Sequence, residues 1–170
     1  ITRWARARGI AVIEDAAPAM GATFKGRQVG SFGDFGCFSF HGAKVAVSGE
    51  GGVILMNGKE RYRKVERLAN MGRTDSEAVF WSDFLGYQYT IGNLPAALAL
   101  AQVERIEELV GRKRQIFGWY DERLAGVEGL ALIREKKDCR SNYCYPSLLV
   151  DEGVTVPRDA VAQIVAKIER

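Results

Sequence analysis

Apolar positions along the chain fall in short runs, separated by glycine-rich and charged stretches. The opening ITRWARARG reads as the last turns of a helix already under way, with Gly9 as its left-handed stop. A chain that starts inside a helix is expected to be a fragment. IAVIED, residues 10–15, is a β-branched run closing on two acids, the pattern of a buried parallel strand. Residues 16–36 are rich in glycine and turn residues and predict loop. CFSF (37–40) and GVILM (52–56) predict strands, the second closed by Asn57–Gly58. From Lys59 to about Met71, Tyr62, Val65 and Leu68 recur at helical spacing.

Residues 72–92 have no period and hold Phe80, Trp81, Phe84, Tyr87 and Tyr89. Asn93 reads as an N-cap with Pro95 in the first turn. Helical spacing then runs to about Leu124, with a break expected near Gly111. LALI and YPSLLV predict strands. A last helix is expected from Pro157, with Val161, Ile164, Val165 and Ile168 on its apolar face. Strands alternating with helices predict an α/β fold, in which loops leaving the carboxyl ends of strands build the site.

Composition narrows the classes. Apolar residues make up 47% of 170, enough for the core of one domain or parts of two. A net charge of +3 with mixed signs, as in ERYRKVERL, reads as solvated helix faces rather than a nucleic-acid groove. Cys37, Cys139 and Cys144 are an odd count without a CxxC pair, which fits a reducing, cytoplasmic setting. One histidine, His41, without ligand spacing argues against a metal site. There is no apolar run of membrane-spanning length and no visible signal peptide.

The chemistry concentrates in FSFHGAKVAVSGEGG, residues 38–52. Asp15 leaves one strand, and Ser39 to Lys44 leave another, so their loops can converge. A carboxylate and an amine so placed can form a plain ion pair. They can equally hold pyridoxal phosphate, with the lysine as Schiff base and the aspartate at the pyridinium nitrogen. Ser39 and nearby N–H groups offer donors for a phosphate.

The stretch VIEDAAPAMGATFKGRQVGSFGDFGCFSFHGAKVAVSGEGGVILMNG resembles the DegT/DnrJ/EryC1/StrS family of pyridoxal-phosphate aminotransferases acting on nucleotide-linked keto sugars. The acid–Asp–Ala–Ala start, GATFKGR, VGSFGD, FSF and the GEGG turn stand in the family's order. NMGR, LGYQYTIGNLPAALALAQVERIEEL and RKRQIFGWYDERLAG carry the likeness further.

The resemblance implies a partial type I aminotransferase fold, with a mostly parallel sheet and flanking helices. Residues 1–111 would be the second half of the large cofactor domain, and 112–170 the start of the small domain. Lys44 would carry the cofactor and shuttle the proton, Asp15 would meet the ring nitrogen, and Ser39 would bind the phosphate. A family branch with His in place of that lysine removes a hydroxyl instead. Lys44 implies amino transfer, with glutamate as donor and a GDP- or dTDP-linked 4-keto-6-deoxyhexose as first expectation. Such enzymes are homodimers, and Gln88 stands where an Asn reaches the partner's phosphate site. Pro18 stands where a His or Gln side chain is frequent, and Thr90 where Arg is usual. The family's preceding phosphate loop and ring-stacking aromatic are not in these 170 residues. The alternative reading is therefore an inactive piece that oligomerises but binds the cofactor weakly.

Overall fold

The computed structural model describes residues 1–73 and 81–153; Phe80 and the helix expected from Pro157 lie outside the described residues. Helix α1 (Thr2–Arg6) ends as read. Gly9 takes φ +64°, and Ile10 N–H reaches back to Ala5 O at 3.0 Å. Strand β1 (Ile13–Asp15) is the carboxyl half of the predicted run. The following loop contains two very short strands, β2 (Thr23–Phe24) and β3 (Arg27–Gln28), paired as a hairpin. Next come β4 (Phe35–Ser39), β5 (Gly52–Met56) and helix α2 (Lys59–Ala69).

Helices α3 (Asn93–Glu104) and α4 (Ile106–Leu124) follow, then β6 (Leu130–Leu132), β7 (Cys139–Arg140) and β8 (Leu148–Val150). The helical break falls at Arg105, not at Gly111. Arg105 leaves helical geometry and forks onto Glu108 at 2.7 and 2.9 Å. Gly111 stays helical because its neighbour Val110 is fully buried, and such packing outweighs the roughly 1 kcal/mol a helical glycine costs. Gly92, not Asn93, is the N-cap.

The α/β class stands, but the expectation of a mostly parallel sheet needs correction. Among the described strands only β1 and β4 run parallel, Ile13 opposite Phe35 and Asp15 opposite Cys37. β5 pairs antiparallel with β4, and both smaller sheets, β3-β2-β7 and β6-β8, are antiparallel. A parallel neighbour requires a crossover, usually through a helix. Residues 40–51 instead fold straight back, which needs Gly51 at φ +112°, where a β-carbon would also strike Ile91.

Two buried clusters grip this excursion. Phe40 and Ala46 pack with Ala99, against Met20, Val53 and Ile106. Val45 packs with Val110 and Cys144. Both residues after Lys44 are thus core residues, which fixes the backbone carrying its side chain. No helix among the described residues is long and apolar enough to cross a membrane.

Candidate active site

Parallel pairing of β1 with β4 brings two strand ends to one edge. Asp15 closes β1 and Ser39 closes β4. Side chains alternate along a strand, so Asp15, its partner Cys37 and Ser39 share a face, while Glu14 and Phe38 point to the other. Asp15 Oδ1 accepts the N–H of Ala17 at 3.1 Å, a local turn that fixes the carboxylate and leaves its second oxygen to the site. Ser39 Oγ accepts His41 N–H at 3.2 Å, so its own proton remains to be donated. Lys44 follows in a turn closed by its N–H on His41 O at 2.9 Å.

Lys44 is half-buried, and its Nζ lies 5.5 Å from the ring centroid of Tyr145. No ion pair joins it to Asp15 among the described contacts, so the plain ion-pair reading fails here. His41 is exposed, and Nδ1 accepts Ala43 N–H at 3.3 Å. Gln88 is exposed and donates to Thr90 Oγ1 at 2.5 Å within its own chain. Cys37 and Cys139 are partly buried free thiols, and Cys144 is a buried one. No group of metal-ligating side chains gathers among the described residues.

The loop below the site is held by acids that the sequence motif carries for structure. Glu14 accepts the N–H groups of Gly30 at 2.9 Å, Gly33 at 2.5 Å and Phe32. A β-carbon at Gly36 would overlap Gly30 O, so VGSFGDFG can close only with glycine there. Asp34 accepts Val12 N–H at 2.9 Å and pairs with Arg61 at 2.9 Å. The Val12 N–H, aided by Arg61, holds its carboxyl below the usual range.

Sequence reading missed Asn142, buried at 5% exposure, whose side chain reaches the loop after Asp15. A lone Asn in an irregular stretch carries no signal. On the sheet face opposite Asp15 lies an apolar cleft of about 490 Å³, lined by Phe38, Phe40, Val53, Leu55, Leu100 and Val103.

A carboxylate, a hydroxyl with a proton to give and an amine with no paired anion among the described residues therefore sit on two loops at one sheet edge. That donor set fits the ring nitrogen, phosphate and carbonyl of pyridoxal phosphate.

Comparison with known proteins points the same way. The model of the DegT/DnrJ/EryC1/StrS aminotransferase family matches residues 1–169. GDP-perosamine synthase of Caulobacter vibrioides is 40% identical over 121 residues, 71% of this chain and 32% of that protein. Among solved structures, the aminotransferase TlmJ of Streptoalloteichus hindustanus superposes with a TM-score of 0.84 at 29% identity, over 98% of this chain and 45% of that one. The PLP-form of Spr1654 of Streptococcus pneumoniae, described as a sugar aminotransferase, gives 0.81 at 28%, over 96% and 43%. The chain spans less than half the length of these relatives.

Proposed function

Because the chain belongs to the DegT/DnrJ/EryC1/StrS aminotransferase family, we propose that its protein moves an amino group, from glutamate, onto the keto group of a nucleotide-linked deoxy sugar, using pyridoxal phosphate. The observation that carries this reading is the β1–β4 register, which puts Asp15 and the Ser39–Lys44 turn at one sheet edge. The similarity to a GDP-perosamine synthase favours a GDP-linked sugar and a place in polysaccharide biosynthesis.

When bound, the cofactor supplies a carbonyl that takes up amines and a ring that withdraws electrons from a neighbouring C–H bond. Lys44 would hold it through Nζ, and the same amine would be the group placed to take up and return a proton. Asp15 would face the ring nitrogen and favour its protonated form. Ser39, whose Oγ accepts His41 N–H, would donate its hydroxyl proton to the phosphate. Tyr145, beside Nζ, covers one side of the amine and limits its contact with water.

Residues 1–111 serve as cofactor domain and 112–170 begin the small domain in this reading. Gln88 turns from Thr90 to a second subunit's phosphate site in a homodimer. Free thiols at Cys37, Cys139 and Cys144 are compatible with a cytoplasmic place.

The test uses the product of the complete gene. Pyridoxal phosphate is added, the adduct is reduced with borohydride, and peptides are mapped by mass spectrometry. Label is expected on Lys44, with the visible cofactor band absent from Lys44→Ala. Label on other lysines alone would overturn the assignment. Specific label without glutamate-driven bleaching of the band would favour the alternative, a chain that keeps the fold but not the reaction.

A further inference from the structure

We propose that Asn142 is a positioning residue, which locks the loop that follows Asp15 against the loop that carries Lys44. The inference rests on the cofactor roles given above to those two residues. Asn142 is a polar side chain in the core, and each of its hydrogen-bonding groups is engaged. Nδ2 donates to Pro18 O at 2.7 Å and to Met20 O at 2.9 Å. Oδ1 accepts Cys144 N–H at 3.0 Å. Burying an amide is costly unless its hydrogen bonds are replaced. Here both donors are spent on the backbone of a single loop, the one that starts at Asp15.

The same strap grips the second loop two residues later. Cys144 Sγ lies 3.6 Å from Ala43 O, the carbonyl next to Lys44. Its side chain is buried with Val45 and Val110. Tyr145 follows, over the Lys44 amine. Asn142 thus faces the Asp15 side and Cys144 the Lys44 side, with only Tyr143 between them. Pro18 is the position whose side chain has no donor to give, and its carbonyl is what the strap takes hold of.

The strap is itself anchored, so it can act as a reference frame. Arg140 donates to Gly21 O at 3.0 Å, and Lys25 N–H to Asp138 O at 2.7 Å. β7 pairs with β2 through Thr23–Arg140 and Phe24–Cys139. On its other side Tyr143 stacks on Phe117 of α4 at 3.7 Å, and Glu135 accepts Ser141 N–H at 2.7 Å.

Asp15 and Lys44 must meet two ends of one rigid ring system. A displacement of about 1 Å at such a site can cost on the order of 100-fold in rate. β1 and β4 fix where the loops begin. The strap fixes how they sit beyond the strand ends.

The experiment compares wild type, Asn142→Ala and Asn142→Asp in the complete gene product. Asn142→Asp keeps the shape but turns two donors into acceptors facing carbonyls. Hydrogen exchange is read first without cofactor. The amides of Ala19 and Ala22, bonded to Ala16 O and Ala19 O, are expected to exchange at least about tenfold faster, with the β4 amides unchanged. With pyridoxal phosphate bound, the L-glutamate half-reaction is expected to slow by about 10–100-fold, with the concentration giving half-maximal rate changed less than about threefold.

A wild-type half-reaction in a folded Asn142→Ala overturns the proposal. So does faster exchange spread equally over β4, which marks a merely structural residue. If Asn142→Ala does not fold, Asn142→Ser is judged by the same two measurements. Failure of the function itself shows separately, as a wild-type cofactor band in Lys44→Ala, whatever the exchange at Ala19 and Ala22.

Discussion

Glu14 and Asp15 are adjacent on β1 and face opposite sides of it. Glu14 gathers three backbone N–H groups from residues 30–33, while Asp15, among the described residues, accepts only Ala17 N–H and stays exposed at the sheet edge. Two acids in one motif therefore have separable effects. Glu14→Gln weakens three charge-assisted hydrogen bonds and is expected to cost about 2 kcal/mol, with Tm falling by about 4–8 °C. Asp15→Asn keeps an oxygen for Ala17 and should leave Tm within about 1 °C of wild type. It should weaken pyridoxal phosphate binding at least about tenfold, the effect of losing one modest ionic contact. Calorimetry and cofactor titration on both variants check this. Equal losses of Tm would dismiss the division of labour.

A second prediction concerns acid stability. Arg114 forks onto Glu135 at 2.8 and 3.0 Å, and Ser141 N–H adds a bond at 2.7 Å. The Arg114 hydrogen bonds, with that backbone donor, hold the Glu135 carboxyl down to about 2 from its usual 4.5. A group depressed on folding stabilises the fold fully above its unfolded value. That contribution fades as pH falls from about 4.5 through about 2. Both side chains remain partly solvated, so the gain is about 1–2 kcal/mol. Glu135→Gln should lower stability by that amount at pH 7 and flatten its pH dependence between 4.5 and 2. Denaturant midpoints measured across that range decide it. Curves that stay parallel down to pH 2 would sink the account.

How much of this was legible in the sequence depends on how local each feature is. The strands ending at Asp15 and Ser39, helix α2 and the glycine turn after Lys44 follow from short-range patterns. The candidate site is legible in another way: strand ends place Asp15 and Ser39 on loops, but the roles given to them and to Lys44 come from the family resemblance of the motif and not from its pattern. The roles of Glu14 and Asp34 were hidden inside that motif, although strand alternation separates Glu14 from Asp15 by face. The antiparallel direction of β5 is not legible, because a strand's apolar run does not encode its direction. The helix break at Arg105 leaves no trace in the apolar spacing. β2, β3 and β7 are two residues long, and β2 meets β7 across most of the chain. Asn142 gains its meaning only from carbonyls more than a hundred positions away.

The last prediction concerns assembly. Residues 81–94 leave apolar groups in water, with Leu85 at 81%, Leu94 at 82%, Tyr89 at 75% and Trp81 at 62% exposure. Tyr87 and Tyr89 stack at 5.2 Å, which stiffens the segment without covering it. Scattered exposed leucines are ordinary, but apolar groups clustered on one short segment form a patch suited to burial against another surface. Under the homodimer reading, this surface meets a second copy and buries on the order of 1,000 Å² or more. Leu85→Glu with Leu94→Glu would place charges in that contact, and like charges from two subunits would face one another. Sedimentation of the complete gene product should show a dimer. The double variant should raise the dissociation constant by at least about 100-fold, which corresponds to about 2.7 kcal/mol. Its Tm, extrapolated to low concentration, should match that of the dissociated wild type. A wild type that stays monomeric at every concentration, or a double variant that dimerises as wild type does, would remove this segment from the interface and Gln88 from the partner's phosphate site.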